Sequence, residues 1–73
     1  MRTLKNCKPG QSARVLRVQG ADALRIRIME MGLTPGTVLR VLKLAPLGDP
    51  MEIIVRGYAL SLRKSDAARI EIE

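Results

Sequence analysis

Histidine is absent from the 73 residues, and this removes the commonest general base and the commonest zinc ligand together. Cys7 is the single cysteine. It has no histidine to take its proton and no second thiol for a disulfide or a metal site. Asp22, Glu30, Asp49, Glu52 and Asp66 are scattered beside bases and turns rather than set as an acid–base pair. No glycine-rich phosphate loop of the Walker or dinucleotide type occurs. Met29 and Met31 stand two positions apart, so on a helix they would not share a face, and methionines so placed read as core filler. These residues argue against an independent enzyme and against an intrinsic transition-metal site. No cofactor is expected, and the chain is expected to act by binding.

The charge balance leaves several partners open. Thirteen Lys and Arg against seven Asp and Glu give a net charge of +6, which attracts nucleic acid, an anionic membrane leaflet or an acidic protein face. The bases run from Arg2 to Arg69 rather than gathering in a tail, so a solvated surface explains them equally well. Proteins that read single strands present aromatic platforms to the bases. This chain has one Tyr and no Phe or Trp, and Tyr58 is expected to face inward, which makes nucleic acid the weaker reading. A lone thiol fits a reducing compartment. Met1 to Gly10 is polar and lacks the apolar stretch of a secretory signal, and the apolar runs are far shorter than the roughly 20 residues that span a bilayer. A cytoplasmic protein without direct membrane insertion is expected, one domain covering residues 1–73.

Short elements punctuated by turns must position whatever does the binding. Lys8-Pro9-Gly10 places Pro and Gly where a tight turn needs them, and Ser12 to Gln19 follows as a strand with Ala13, Val15, Leu16 and Val18. Thr34-Pro35-Gly36 repeats the device ahead of Val38 to Leu44. Arg14-Val15-Leu16-Arg17 thereby matches Arg40-Val41-Leu42-Lys43, the same turn-into-strand chemistry used twice. Between the two, Ala21 to Met31 fits a strand by alternation and a helix by the spacing of Ala21, Leu24, Ile28 and Met31. Asp22 as a first-turn acid or cap and Gly32 as the glycine just past the end favour a helix of two to three turns, with Leu33 packing back on its last turn. Met51 to Val55 and Tyr58 to Leu62 flank Arg56-Gly57 as a hairpin. A helical turn over 64–68 and a last strand carrying Ile70 and Ile72 complete the chain. About five strands, one helix and a turn every ten or so residues describe a small, mainly β barrel, whose closure would also hide its strand edges.

Ala45-Pro46-Leu47-Gly48-Asp49-Pro50 reads in two ways. It is a connection stiffened by two prolines and turned by Gly-Asp. It is also a rigid loop that holds the apolar Leu47 out among polar neighbours, and rigid loops lose little entropy on binding.

Three groups of residues at this spacing resemble the FeoA family: Leu24, Ile28, Met31-Gly32-Leu33 with Pro35-Gly36; Ala45 through Pro50; and Leu60, Leu62-Arg63-Lys64 with Ala67 and Ile70. The similarity runs from about Leu4 to Ile72. It implies an SH3-like β-barrel with an inserted α-helix at about 21–31. It also implies a role in bacterial ferrous iron uptake beside FeoB, a membrane permease with a cytosolic GTP-binding domain. The same domain occurs at the end of some metal-dependent repressors, and a metal-sensing regulatory module is an alternative beside the nucleic-acid one; the chain, starting at Met1, reads as the stand-alone version. On this resemblance the partner surface is expected at Leu47, Gly48, Asp49 and Pro50 and at the helix end, Met31, Gly32, Leu33 and Pro35. Arg25 and Arg27 are expected to meet acidic residues of the partner. A homo-oligomer through the apolar loop is a further expectation.

Overall fold

Two reciprocal sets of backbone hydrogen bonds organise the chain, as seen in a computed structural model that describes residues 2–73. The Pro9-Gly10 and Pro35-Gly36 turns close with Gln11 N–H donating to Lys8 O and Thr37 N–H donating to Thr34 O, at 3.1 and 3.0 Å. Gly10 and Gly36 stand at φ +89° and +91°, the third-position conformation that a side chain disfavours in such a turn. The two strands that follow, β2 (Ser12–Val18) and β3 (Val38–Leu44), pair antiparallel with Ala13 opposite Leu39. Each turn then docks on the other strand. Gly10 N–H donates to Val41 O and Gly36 N–H to Val15 O, both at 2.8 Å. Val41 N–H returns to Gln11 O and Val15 N–H to Thr37 O, at 2.9 and 2.8 Å. The matched sequence motifs thus pair with one another about a local pseudo-twofold axis through Ala13 and Leu39.

The likeness extends past the shared ladder. β2 shifts register between Val15 and Arg17, and β3 shifts at the matching place between Val41 and Lys43. Such a bulge turns one extra residue out of the alternation. Leu16 and Leu42 are accordingly 43% and 41% exposed, and on β2 the residue that turns back to the core past the bulge is Val18 rather than Arg17. Beyond the bulges Arg17 meets Glu71 at 3.0 Å and Lys43 meets Glu52 at 3.8 Å.

The remaining strands extend this ribbon on both sides. β4 (Met51–Val55) pairs with β3, and β5 (Tyr58–Leu62) pairs with β4 through a tight turn with Arg56 at φ +52° and Gly57 at φ +85°. β6 (Ile70–Ile72) pairs with the second half of β2, and β1 (Arg2–Thr3) adds to its far side. The order is β1-β6-β2-β3-β4-β5. The described residues therefore form six strands where about five were expected. The additional one is a two-residue strand in the N-terminal stretch that reads as polar, and it is followed by a 3-10 turn over Leu4–Asn6. Among the described residues β1 and β5 are not hydrogen-bonded to each other, so two short edges remain instead of full closure. Leu4, Val15, Ile28, Leu33, Val41, Ile53, Leu62 and Ile70 belong to one core cluster drawn from both flanks of the sheet and from the helix.

Helix α1 spans Ala23–Glu30, shorter at both ends than the expected 21–31. Asp22 lies in extended backbone as its N-cap, and its Oδ1 accepts from Arg25 N–H. The chain leaves the helix through Gly32 at φ +97°. Ile28 is fully buried, Leu24, Met29 and Met31 pack at the core margin, and Ile26 faces solvent. The second helix, α2 (Lys64–Ala67), buries Ala67. Cys7 is also in the core, where burial raises its thiol pKa against the opposing pull of Arg2.

Two outcomes follow. A Cβ at Gly36 meets nothing, whereas one at Gly32 would stand 3.1 Å from Tyr58 Oη. Gly36→Ala should cost about 1 kcal/mol through its positive φ alone, and Gly32→Ala clearly more, in a comparison of urea midpoints. Asp22 also accepts from Arg69 Nη1 at 2.8 Å, and this bond first, with the helix N–H second, holds its carboxyl below the ordinary value. Its contribution is complete above the unfolded carboxylate pKa of about 3.9 and is lost as pH falls through the lower folded value. Asp22→Asn, which keeps a cap, should flatten the fall in stability across that acidic window and leave the neutral-pH curve parallel.

Candidate functional site

The loop between β3 and β4 carries the most exposed large apolar side chain described in the molecule. Leu47 is 96% exposed. Its loop is nonetheless well held. Gly48 N–H donates to Ala45 O at 2.7 Å, and Ala45 N–H donates to Pro50 O at 3.0 Å where the strands begin. Pro46 at the second position and Gly48 at the fourth, with φ +83°, suit such a turn. Asp49 Oδ1 accepts from Lys64 N–H at 3.0 Å, so the loop is fastened to the first turn of α2. Lys64 Nζ lies over Gly48, 3.3 Å from where a Cβ would stand. Arg63 completes a small cleft with Asp49 and Pro50. On the other flank a cleft of about 310 Å³ is lined by Lys43, Leu44, Ala45, Pro46, Pro50 and Glu52, with Ser61. An apolar tip on a fastened loop, with cations beside it, loses little conformational freedom in any contact it makes.

The second group of expected contact residues sits at the other end of β3. Seven residues of strand separate the two groups, roughly 20 Å at about 3.3 Å per residue. Here the helix end and its exit loop lean on the β4–β5 turn. Tyr58 Oη donates to Met31 O at 2.8 Å, giving that carbonyl a partner beyond the helix. Arg56 Nη2 donates to Thr37 Oγ1 at 3.2 Å and to Thr34 Oγ1 at 3.4 Å, and the two hydroxyls lie 3.1 Å apart. Gly32 is the residue that lets this happen. Tyr58 Oη and the Arg56 stem occupy the space a side chain would need.

Several residues expected at the contact surface turn out to have internal duties. Leu33 is fully buried; it packs back on the helix as its spacing implied, and its side chain cannot reach a partner. Arg25 Nε donates to Val18 O at 3.1 Å, tying α1 to β2, and is half-buried. Asp49 anchors its loop through Lys64 N–H and is itself exposed. Arg27, Pro35, Leu47 and Pro50 are exposed, and Met31, Gly32 and Gly48 are half-exposed. Tyr58 corrects the expectation that it faces inward: it begins the inward face of β5 but at the strand's open end, and is 45% exposed. Arg56 was not singled out from sequence. An arginine ahead of glycine in a tight turn, where φ must be positive, is the signal that marks it. Among the described residues no three Cys, Asp or Glu side chains converge as a metal site, and no helix is long and apolar enough to cross a membrane.

This architecture is found in known proteins. The FeoA domain model matches residues 2–73. The chain is 41% identical over 70 residues to a fusion of Fe(2+) transport protein A with the Fe(2+) transporter FeoB from Porphyromonas gingivalis; the match covers 96% of this chain and 8% of the fusion. An FeoA-like protein from Clostridium acetobutylicum superposes with a TM-score of 0.91 at 37% identity, over 97% of this chain and 83% of that one. FeoA of Stenotrophomonas maltophilia, solved with zinc and described as a prokaryotic SH3 domain protein, superposes with a TM-score of 0.88 at 30% identity, over 100% and 91% of the two chains. These matches cover 96% or more of this chain, while the chain spans only 8% of the curated fusion's length. It belongs to the FeoA family.

Proposed function

We propose that this chain is a cytoplasmic accessory protein of ferrous iron uptake, acting by contact with a FeoB-type permease rather than by catalysis. The observation that carries the reading is Leu47, almost wholly exposed on a loop fastened at Asp49 and Ala45. The P. gingivalis relative, which joins the two proteins in one chain, supports the choice of partner. The contact residues are Leu47, Gly48 and Pro50 at one end of β3, with Met31, Gly32, Pro35 and Arg27 toward the other. Asp49, Leu33 and Arg25 hold these in place. Burying a leucine contributes about 1.5–3 kcal/mol, which makes Leu47 the natural anchor of an otherwise polar contact.

Leu47→Asp touches nothing in the fold and should leave the thermal midpoint unchanged. In a titration against the soluble cytosolic part of the permease it should weaken binding about tenfold or more, the equivalent of at least ~1.4 kcal/mol. Binding equal to that of the parent chain overturns the loop as the contact. Asp49→Ala frees the loop from α2 and should weaken the same binding less, about two- to tenfold, because the anchor survives and only its pre-ordering is lost. Faster amide exchange confined to residues 46–50 and the start of α2 is the accompanying signature.

A further inference from the structure

The cleft at the helix end holds a cation that the fold itself does not use up. Among the described residues the ion pairs are Arg14–Glu73, Arg17–Glu71, Lys43–Glu52 and Arg69–Asp22. Arg56 is in none of them. Its side chain is nevertheless held, because Nη2 donates to two threonine hydroxyls. Hydroxyls position a guanidinium without neutralising it, and Nε and Nη1 make no hydrogen bond within the described residues. An arginine fork with open donors on a fixed stem is matched to a carboxylate. Its backbone adds to the case. Arg56 is the only described residue other than glycine at positive φ, in a turn position that asparagine or glycine would occupy with less strain. Strain of this kind is kept where the side chain has a use.

The surroundings define what fits. Thr34, Pro35, Gly36, Thr37 and Val38 line an open cleft of about 420 Å³ with Arg56. Val38 is 54% exposed there and gives an apolar wall, while Arg56 and the hydroxyls give the polar end. A short acidic side chain, its methylenes on Val38 and Pro35 and its carboxylate on Arg56, satisfies both. We infer that this cleft receives an aspartate or glutamate from an acidic segment of the protein partner, as a second contact about a strand's length from Leu47. The inference rests on the partner contact proposed above and names the chemistry the partner must offer at this point.

The test compares Arg56→Asn with Leu47→Asp in the full chain. Each is titrated against the cytosolic part of the permease at low and moderate salt. Asparagine relieves the backbone of the turn, while the lost bonds to Thr34 and Thr37 leave those hydroxyls paired with each other. The two effects offset, so Arg56→Asn should keep a thermal midpoint close to the parent's. Its binding should be on the order of tenfold weaker at low salt, with the gap narrowing as salt screens the lost ion pair. A loss that is equal at both salts would mean that Arg56 merely braces the loop, and overturns the inference. Normal binding by Arg56→Asn alongside weak binding by Leu47→Asp overturns it too, and leaves the Leu47 contact standing. If the parent chain does not bind at all, both fall together.

Discussion

The reciprocal pairing of the two Pro-Gly ribbons is the constraint on which the other elements depend. Gly10 and Gly36 each turn the chain so that its N–H reaches the opposite strand at 2.8 Å. This fixes β2 and β3 in a single register with Ala13 facing Leu39. Everything else is hung from that ribbon. Across the matching bulges at Leu16 and Leu42 each strand takes its second neighbour, β6 along Val15 to Val18 and β4 along Leu39 to Leu44. A ribbon paired with its own near-copy is also register-safe, since a slip of one residue would expose Val15 and Val41 together. Seventy-three residues without Phe or Trp have a modest apolar driving force, and a backbone ladder that both motifs favour locally makes the fold consistent at two levels.

The same ribbon separates the two ends at which the surface chemistry gathers. Its exit at Leu44 launches the Leu47 loop. Its entry at Pro35 carries the helix end and the Arg56 cleft. Each end is braced from outside the ribbon, the first by α2 through Asp49 and the second by the β4–β5 turn through Tyr58 and Arg56. Both are surfaces whose shape the fold itself sets, which lowers the ordering cost of any contact made there.

Much of this was legible in the sequence, for identifiable reasons. β3, β4 and β5 follow from alternation bounded by Pro-Gly or Arg-Gly turns, and α1 from its Asp22 cap and Gly32 exit. The motif match between residues 9–17 and 35–43 was also visible. That the two copies pair with each other was not, because antiparallel register between distant segments leaves no local mark. β1 and the burial of Leu4 and Cys7 were hidden because single apolar residues in a polar stretch carry no period. The bulges at Leu16 and Leu42 were hidden because a bulge breaks the alternation without changing composition. At the site, exposure of Leu47 followed from its rigid neighbours. The inward packing of Leu33 followed from its place just past Gly32. The ties of Arg25 to Val18 and of Asp49 to Lys64 did not, because each depends on a residue brought near only by the fold. From the sequence Arg56 reads only as part of the Arg56-Gly57 turn, because its bonds to Thr34 and Thr37 exist only once the fold brings them near.

Amide hydrogen exchange of this chain, alone and with the cytosolic part of a FeoB-type permease, tests the central claim most directly. The account predicts slowed exchange in two separate patches, residues 46–50 with the start of α2, and residues 31–38 with the Arg56-Gly57 turn. The outer side of β6 and the Lys5–Lys8 stretch should exchange as in the free chain. Protection concentrated on β1 and β6, with both ends of β3 unchanged, would contradict it.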